Sequence, residues 1–261
     1  MNEIFDGLRV LLTSTFLIYA SWSDLKNREV SNKVWAILAP LAFAMTFFQF
    51  FMFAPDMFQI YAFSFAITSA VSVALFYAGA FGGADAKALM CLSLALPYPV
   101  HLLQPMGFVS PLFPITVFCN AVLLAASTVF YAVTRNLLWK YRTGKKLFQD
   151  FEAQPMSRKI LTFLCGYKVN ISELERRRHF YPLEDVQIDE TGETKRSLLV
   201  FPSDEKKEKI VDRILEASRE GRLQSAVWIT PGLPFLVFIT AGLIIALTLG
   251  DIIWIVLSLA L

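Results

Sequence analysis

Six stretches of this chain read as long enough and apolar enough to cross a bilayer, and nothing else limits its fold so strongly. A membrane-spanning helix needs about 20 mostly apolar residues, since each advances it by only about 1.5 Å. The runs cover roughly Ile4–Trp22, Val34–Phe53, Phe58–Ala78, Gly83–Leu103, Leu112–Thr134, and Leu233 to near the C-terminus. Hydrophobic residues make up 56% of the 261, with 24 Phe, where soluble domains average about 45–50%. The excess lies in these runs. The expected fold is an all-α polytopic membrane protein with six transmembrane helices and a small α+β cytoplasmic domain. Helices 1–5 fall in 1–136, the soluble domain in 137–227 and the sixth helix in 228–261.

Charge sets the expected orientation. Lys26, Arg28 and Lys33 lie between the first two runs, and Lys87 opens the fourth. Arg135 and every later Lys and Arg precede the last run, so 24 cations divide with only Arg9 on the other side. Cations collect on the cytoplasmic face of membrane proteins. The N-terminus is therefore expected outside and the polar segment inside, in a multi-pass protein of the cell membrane. The first run reads as a retained helix and not a signal peptide, because Glu3 and Asp6 precede the first cation.

Three cysteines (Cys91, Cys119 and Cys165) and two histidines (His101 and His179) lie too far apart for a CxxC or Cys/His cluster. No metal, disulfide framework or cofactor is expected. No basic, aromatic-interleaved stretch suggests nucleic acid; the expected surroundings are the lipid bilayer. The sequence leaves the oligomeric state open.

Carboxylates are costly at membrane depth, which makes each one there a functional candidate. Asp24 ends the first run and Asp85 begins the fourth, so the charge-derived topology puts both at similar depth near the inner surface. A carboxyl pair sharing one proton can activate water and protonate a carbonyl oxygen together. Asp24 lies toward a helix C-terminus, where the dipole disfavours an anion, and Asp85 toward an N-terminus, where it favours one. Asp24 is then expected to hold the shared proton and Asp85 to act as base. Each residue also has a plainer reading, as an ordinary helix-end aspartate at the membrane surface.

The motif residues resemble a known family. Gly82-Gly83-Ala84-Asp85-Ala86-Lys87 is similar to the GxGD motif of intramembrane aspartyl proteases, and the lysine to its prepilin-peptidase form. Asp24-Leu25-Lys26-Asn27-Arg28-Glu29-Val30 resembles the first-aspartate segment of archaeal preflagellin peptidases. The span order, Pro231-Gly232-Leu233-Pro234-Phe235 and parts of the polar segment are similar too, so the resemblance covers most of the chain. Ala84 replaces the second glycine of the strict motif, and Asp24 follows Ser23 where presenilin-like enzymes have a tyrosine. With no cysteine-rich segment, the methyl transfer of bacterial relatives is not expected.

The resemblance implies an aspartic endopeptidase removing a short basic leader from archaellin or type IV pilin-like precursors. Asp24 and Asp85 would be catalytic, with Gly82, Gly83, Lys87, Pro231 and Pro234 in support. Lys87 reads either as an interface anchor or as a cation biasing Asp85. Pro231 and Pro234 read as a helix stop or as a border that pairs with extended substrate. Asp251 reads as an interface or helix-packing residue toward the outer leaflet. The acidic cluster Glu184, Asp185, Asp189, Glu190 and Glu193 would suit a basic leader. A proton-coupled transporter, a presenilin-like general protease and a scaffold without chemistry are the competing classes.

Within the polar segment, Lys145–Ala153 reads as a short helix and Lys159–Asn170 as holding a strand. Val186–Asp189 and Arg196–Phe201 read as strands joined by a turn at Glu190–Glu193. Ser203-Asp204-Glu205 reads as the cap of a helix through Ala217 with Ile210, Val211, Ile214 and Leu215 inward.

Overall fold

A computed structural model describes residues 2–100, 105, 107–176, 179–188, 194–199, 204–223 and 226–260. The chain falls into two compact units, Met1–Ala126 with Pro234–Leu261, and Ser127–Leu233.

The first unit holds α1 (Asn2–Asn27), α2 (Asn32–Phe53), α3 (Phe58–Tyr77), α4 (Gly83–Ala95), α5 (Phe113–Ala126), α10 (Phe235–Thr248) and α11 (Ile252–Ala260). The intervening elements belong to the second unit. Helix α4 is the hub: α1, α2, α3, α5 and α10 all pack on it. Its Ala88, Leu89, Leu92 and Ala95 join Leu17 and Ala20 of α1, Leu38 of α2, Val117 of α5 and Leu236 and Ile239 of α10 in one core. Helix α3 packs on α4, and its buried residues are Tyr61, Ser64, Thr68 and Ser72. Three of these are small, and small residues let apolar helices approach where lipid offers no hydrophobic drive.

Among the described residues four helices are long and apolar enough to cross a membrane: Glu3–Asn27, Asn32–Phe53, Pro55–Tyr77 (which includes a short 3-10 turn) and Phe113–Thr143. A fifth arises if the pair α10 and α11, bent by 56°, counts as one. The expected fourth span is shorter than read. Helix α4 has 13 residues, about 20 Å at 1.5 Å each. It stops because Pro97 disfavours helix at Leu96 and removes a donor. Its loose carbonyls are met from three helices: the Ala95 carbonyl accepts from Arg9 Nη1 at 3.0 Å and Thr46 Oγ1 at 3.3 Å, and Pro97 O from Ser64 at 2.8 Å. Arg9 is fully buried, paired with Asp6 and set over the Phe50 and Tyr98 rings.

The last run is also interrupted, at Gly250. It takes φ +93°, and a Cβ there would stand 2.7 Å from Phe108 O. Asn120 bridges the break, donating to Gly250 O and accepting from Ile252 N–H, each at 2.9 Å. Buried Asp251 accepts from Ile253 N–H and so caps α11.

The second unit starts with α6 (Thr128–Thr143), which runs past the expected end of the fifth span to Gly144. After it come α7 (Met156–Cys165), β1 (Tyr167–Val169), α8 (Ile171–Arg176), β2 (Phe180–Pro182), β3 (Glu184–Ile188), β4 (Thr194–Leu198), α9 (Asp204–Arg219) and β5 (Val227–Pro231). The expected helix at 145–153 is only a 3-10 turn, Gln149–Phe151. Strand β5 is central in an antiparallel sheet of order β1-β5-β2, with Tyr167 opposite Ile229 and Phe180 opposite Pro231; β3 and β4 form a separate hairpin. Alternation on β5 sends Val227 and Ile229 to a core with Phe180, Ile210 and Ile214, and Trp228 to a second core with Phe151, Leu183 and Leu198. The turn read at 190–193 and Ser203 lie outside the described residues.

Candidate active site

Asp24 sits in the last turn of α1, half-buried. The turn closes through Arg28, whose N–H donates to Asp24 O at 3.0 Å. Arg28 has φ +58°, in the left-handed region a residue with a Cβ seldom enters. No glycine or proline flags this position, so sequence reasoning passed over it. Ser23 Oγ donates to Glu29 O at 2.8 Å and ties down the following loop. Arg28 acts on the Asp24 carboxylate through space, and the backbone of Leu236, at the start of α10, lies near it. Ser21 fixes that helix start, donating to Leu236 O at 2.9 Å and bonding Thr240 Oγ1 at 2.7 Å.

Asp85 is the third residue of α4, half-buried, with Gly82 as N-cap. Its Oδ2 accepts the Gly82 N–H at 3.1 Å, satisfying a donor the helix start leaves open. A Cβ on Gly82 would stand 3.1 Å from that same oxygen, whereas one on Gly83 would meet Phe76 at an ordinary 3.7 Å. Phe81 packs on Phe235 of α10 and Phe118 of α5, with ring centroids 5.0 and 5.8 Å apart. The motif is thus wedged between two helices.

Helices α1 and α4 touch, and the two carboxylates are near enough to act on each other electrostatically. Lys87 turns elsewhere: its Nζ donates to Asn32 Oδ1 at 2.7 Å, tying α4 to the start of α2. Among the described residues neither Asp24 nor Asp85 forms a salt bridge, and no group of three His, Cys, Asp or Glu could hold a metal ion.

The remaining expected residues lie in or beside the second unit. Pro231 ends β5 and Pro234 precedes α10 as its N-cap. Strand β5 is paired on both sides and the Gly232 N–H goes to His179 O at 3.0 Å, which leaves no open edge there for an extended peptide. Glu184 is fully buried, bonded to Arg196 at 2.7 Å and to the Trp228 N–H at 3.1 Å. Burial pushes its carboxyl upward, against the pull of Arg196. Asp185 takes two hydrogen bonds at 2.8 Å from one Arg213 nitrogen. Both acids are engaged inside the domain. Asp189, Glu190 and Glu193 lie outside the described residues.

The sequence that carries these residues is similar to known families. Residues 11–131 fit the family described as "Type IV leader peptidase family", and 158–252 the "Archaeal Peptidase A24 C-terminus Type II". The chain is 28% identical over 242 residues to a preflagellin peptidase of Methanococcus voltae, covering 90% of this chain and 92% of that one. It is 25% identical over 251 residues to a preflagellin peptidase of Methanocaldococcus jannaschii, covering 90% and 91%. Asp24, Gly82 and Asp85 stand within the stretch matched at 11–131, and Pro231 and Pro234 within that matched at 158–252; over both stretches the chain is similar to the type IV leader peptidases.

Proposed function

We propose that this chain is an aspartic endopeptidase of the membrane that removes leader peptides from preflagellin or pilin-like precursors. One observation carries the proposal: Asp24 and Asp85, from two packed helices, lie within electrostatic reach of each other and have no salt-bridge partner among the described residues. The relatives named preflagellin peptidase support the substrate class.

In the proposed reaction Asp85, at the positive end of α4, takes a proton from water as its oxygen attacks the scissile carbonyl carbon. Asp24, at the negative end of α1, gives its proton to the carbonyl oxygen. The resulting gem-diol collapses, one hydroxyl proton returns to Asp24, the C–N bond breaks, and Asp85 protonates the leaving amine. Both acids end as they began. The scissile segment must be extended, since a helix shields its carbonyls. We place the site near the cytoplasmic surface, with the N-terminus outside and six crossings if α4 and the bent α10–α11 pair each count as one. Glu184 and Asp185 have no part in leader recognition here, because Arg196 and Arg213 already hold them.

Co-expression with a candidate precursor tests the reading. Wild type shortens the precursor on a gel, and mass spectrometry puts the cut between the basic leader and the apolar helix. Asp24→Asn and Asp85→Asn each leave it intact. Cleavage by both single variants overturns the dyad, and a cut inside the apolar helix overturns leader removal.

A further inference from the structure

Helix α7 presents an apolar face that no described residue of its own unit covers. Met156, Ile160 and Leu161 are 69, 51 and 43% exposed. At about 100° per residue they fall within an arc of about 140°. Thr162, on the opposite side, is buried. The same unit builds α9 the ordinary way, with Ile210, Ile214 and Ala217 inward and Glu208, Asp212 and Glu216 outward. Large exposed apolar faces mark contact surfaces.

What covers this face is indicated by what lies beside it. Helix α7 packs on α6, where Asn136 Nδ2 donates to Phe163 O at 3.0 Å and Gly166 O at 2.7 Å. Helix α6 is the final stretch of the apolar run Phe113–Thr143, long enough to cross a membrane. It ends in exposed Tyr141 with Lys140 and Arg142 in its last turn. A tyrosine and cations closing an apolar helix mark the water–lipid boundary. Between Lys140 and Cys165 the chain carries Lys140, Arg142, Lys145, Lys146, Arg158 and Lys159 against only Asp150 and Glu152, and Asp150 is paired with Arg196.

We propose that α7 lies in the headgroup layer of an anionic membrane surface, its Met156–Ile160–Leu161 face among the upper acyl chains and the cations around it on lipid phosphates. A short helix with a strong polar–apolar split and flanking cations is suited to this position.

The test uses the full chain in lipid nanodiscs, with Cys91, Cys119 and Cys165 replaced by Ser. An environment-sensitive fluorophore is attached at Ile160→Cys, and at Glu216→Cys on α9 as reference. In phosphatidylglycerol discs the label at 160 emits in the blue and is quenched by lipids brominated near the headgroup, several-fold more than the label at 216. Phosphatidylcholine discs, or Lys145→Glu with Lys146→Glu, move the 160 label toward water. Water-like emission without lipid quenching at 160 overturns the proposal. So does shielding without lipid quenching alongside a 160–160 disulfide between two copies. Quenching indifferent to lipid charge and to the Lys reversals overturns its anionic component.

Discussion

The two units handle buried carboxylates in opposite ways. In the second, Glu184 and Asp185 each have a guanidinium, and Glu184 also has the Trp228 N–H. In the first, neither Asp24 nor Asp85 forms a salt bridge among the described residues, and Asp85 accepts the Gly82 backbone N–H. The membrane helices are able to pair charges, since Asp6 and fully buried Arg9 do so. Their failure to do so at Asp24 and Asp85 is local. A carboxylate held by arginine is committed to structure; one left with weak partners can exchange a proton with a substrate.

The largest expected effect separates the two sets. Asp24→Asn or Asp85→Asn lowers leader cleavage by about 10²–10⁴-fold, the range for losing a proton-transfer group, with little change in the unfolding midpoint. Glu184→Gln does the reverse. It removes the buried carboxylate charge that faces Arg196 and costs roughly 3–5 kcal/mol of stability, while cleavage per folded molecule stays near wild type. A gel assay beside a denaturant titration reads both. A Glu184 variant that folds normally yet cannot cut breaks the comparison.

How far the sequence announced this difference varies by element. Phe58–Ala78 was legible as a helix because nothing interrupts it, and α3 covers Phe58–Tyr77. The fourth run was read too long and the last as unbroken: Pro97 ends the one and Gly250 bends the other, and a hydropathy count averages over a single proline or glycine. The hairpin β3–β4 followed from its β-branched residues, but the sequence did not say that Glu184 and Asp185 point at arginines. Acids in a cluster look alike until their partners, 12 and 28 residues away, are known. At the candidate site, Gly82 and Asp85 announced a tight helix start. Arg28 announced nothing, because its left-handed conformation falls on a residue with a Cβ and no glycine or asparagine stands at that position.

A smaller effect sharpens the comparison on the structural side. Lys168 is buried over the Trp139 and Trp228 rings at 4.6 and 5.6 Å. Burial, helped by Arg196 and opposed by Glu184 and Asp150, lowers it from 10.5 to about 8. Between those values the unfolded chain holds more protons than the folded one, so stability rises with pH. The urea midpoint of wild type, referenced to Lys168→Met, should climb from about pH 8 to about 10.5, at no more than roughly 1.4 kcal/mol per pH unit. A flat or falling difference means the ammonium is better solvated than its surroundings imply.

The smallest effect tests whether position alone matters at the first unit's acids. Gly82 has φ −73°, which alanine adopts without strain. Its added Cβ would stand 3.1 Å from Asp85 Oδ2, the atom that takes the Gly82 N–H. The carboxylate must then give by a few tenths of an ångström. A misplacement of about 1 Å costs about a hundredfold in catalysis, so Gly82→Ala should lose roughly tenfold and fold as well as wild type. Gly83→Ala, one residue on and with 3.7 Å to its nearest neighbour, should cut nearly normally. Equal activity in the two variants would mean that the Asp85 carboxylate is not held to its place by the glycine cap. The contrast with the arginine-locked acids of the second unit would then be one of partners only, and not of fit.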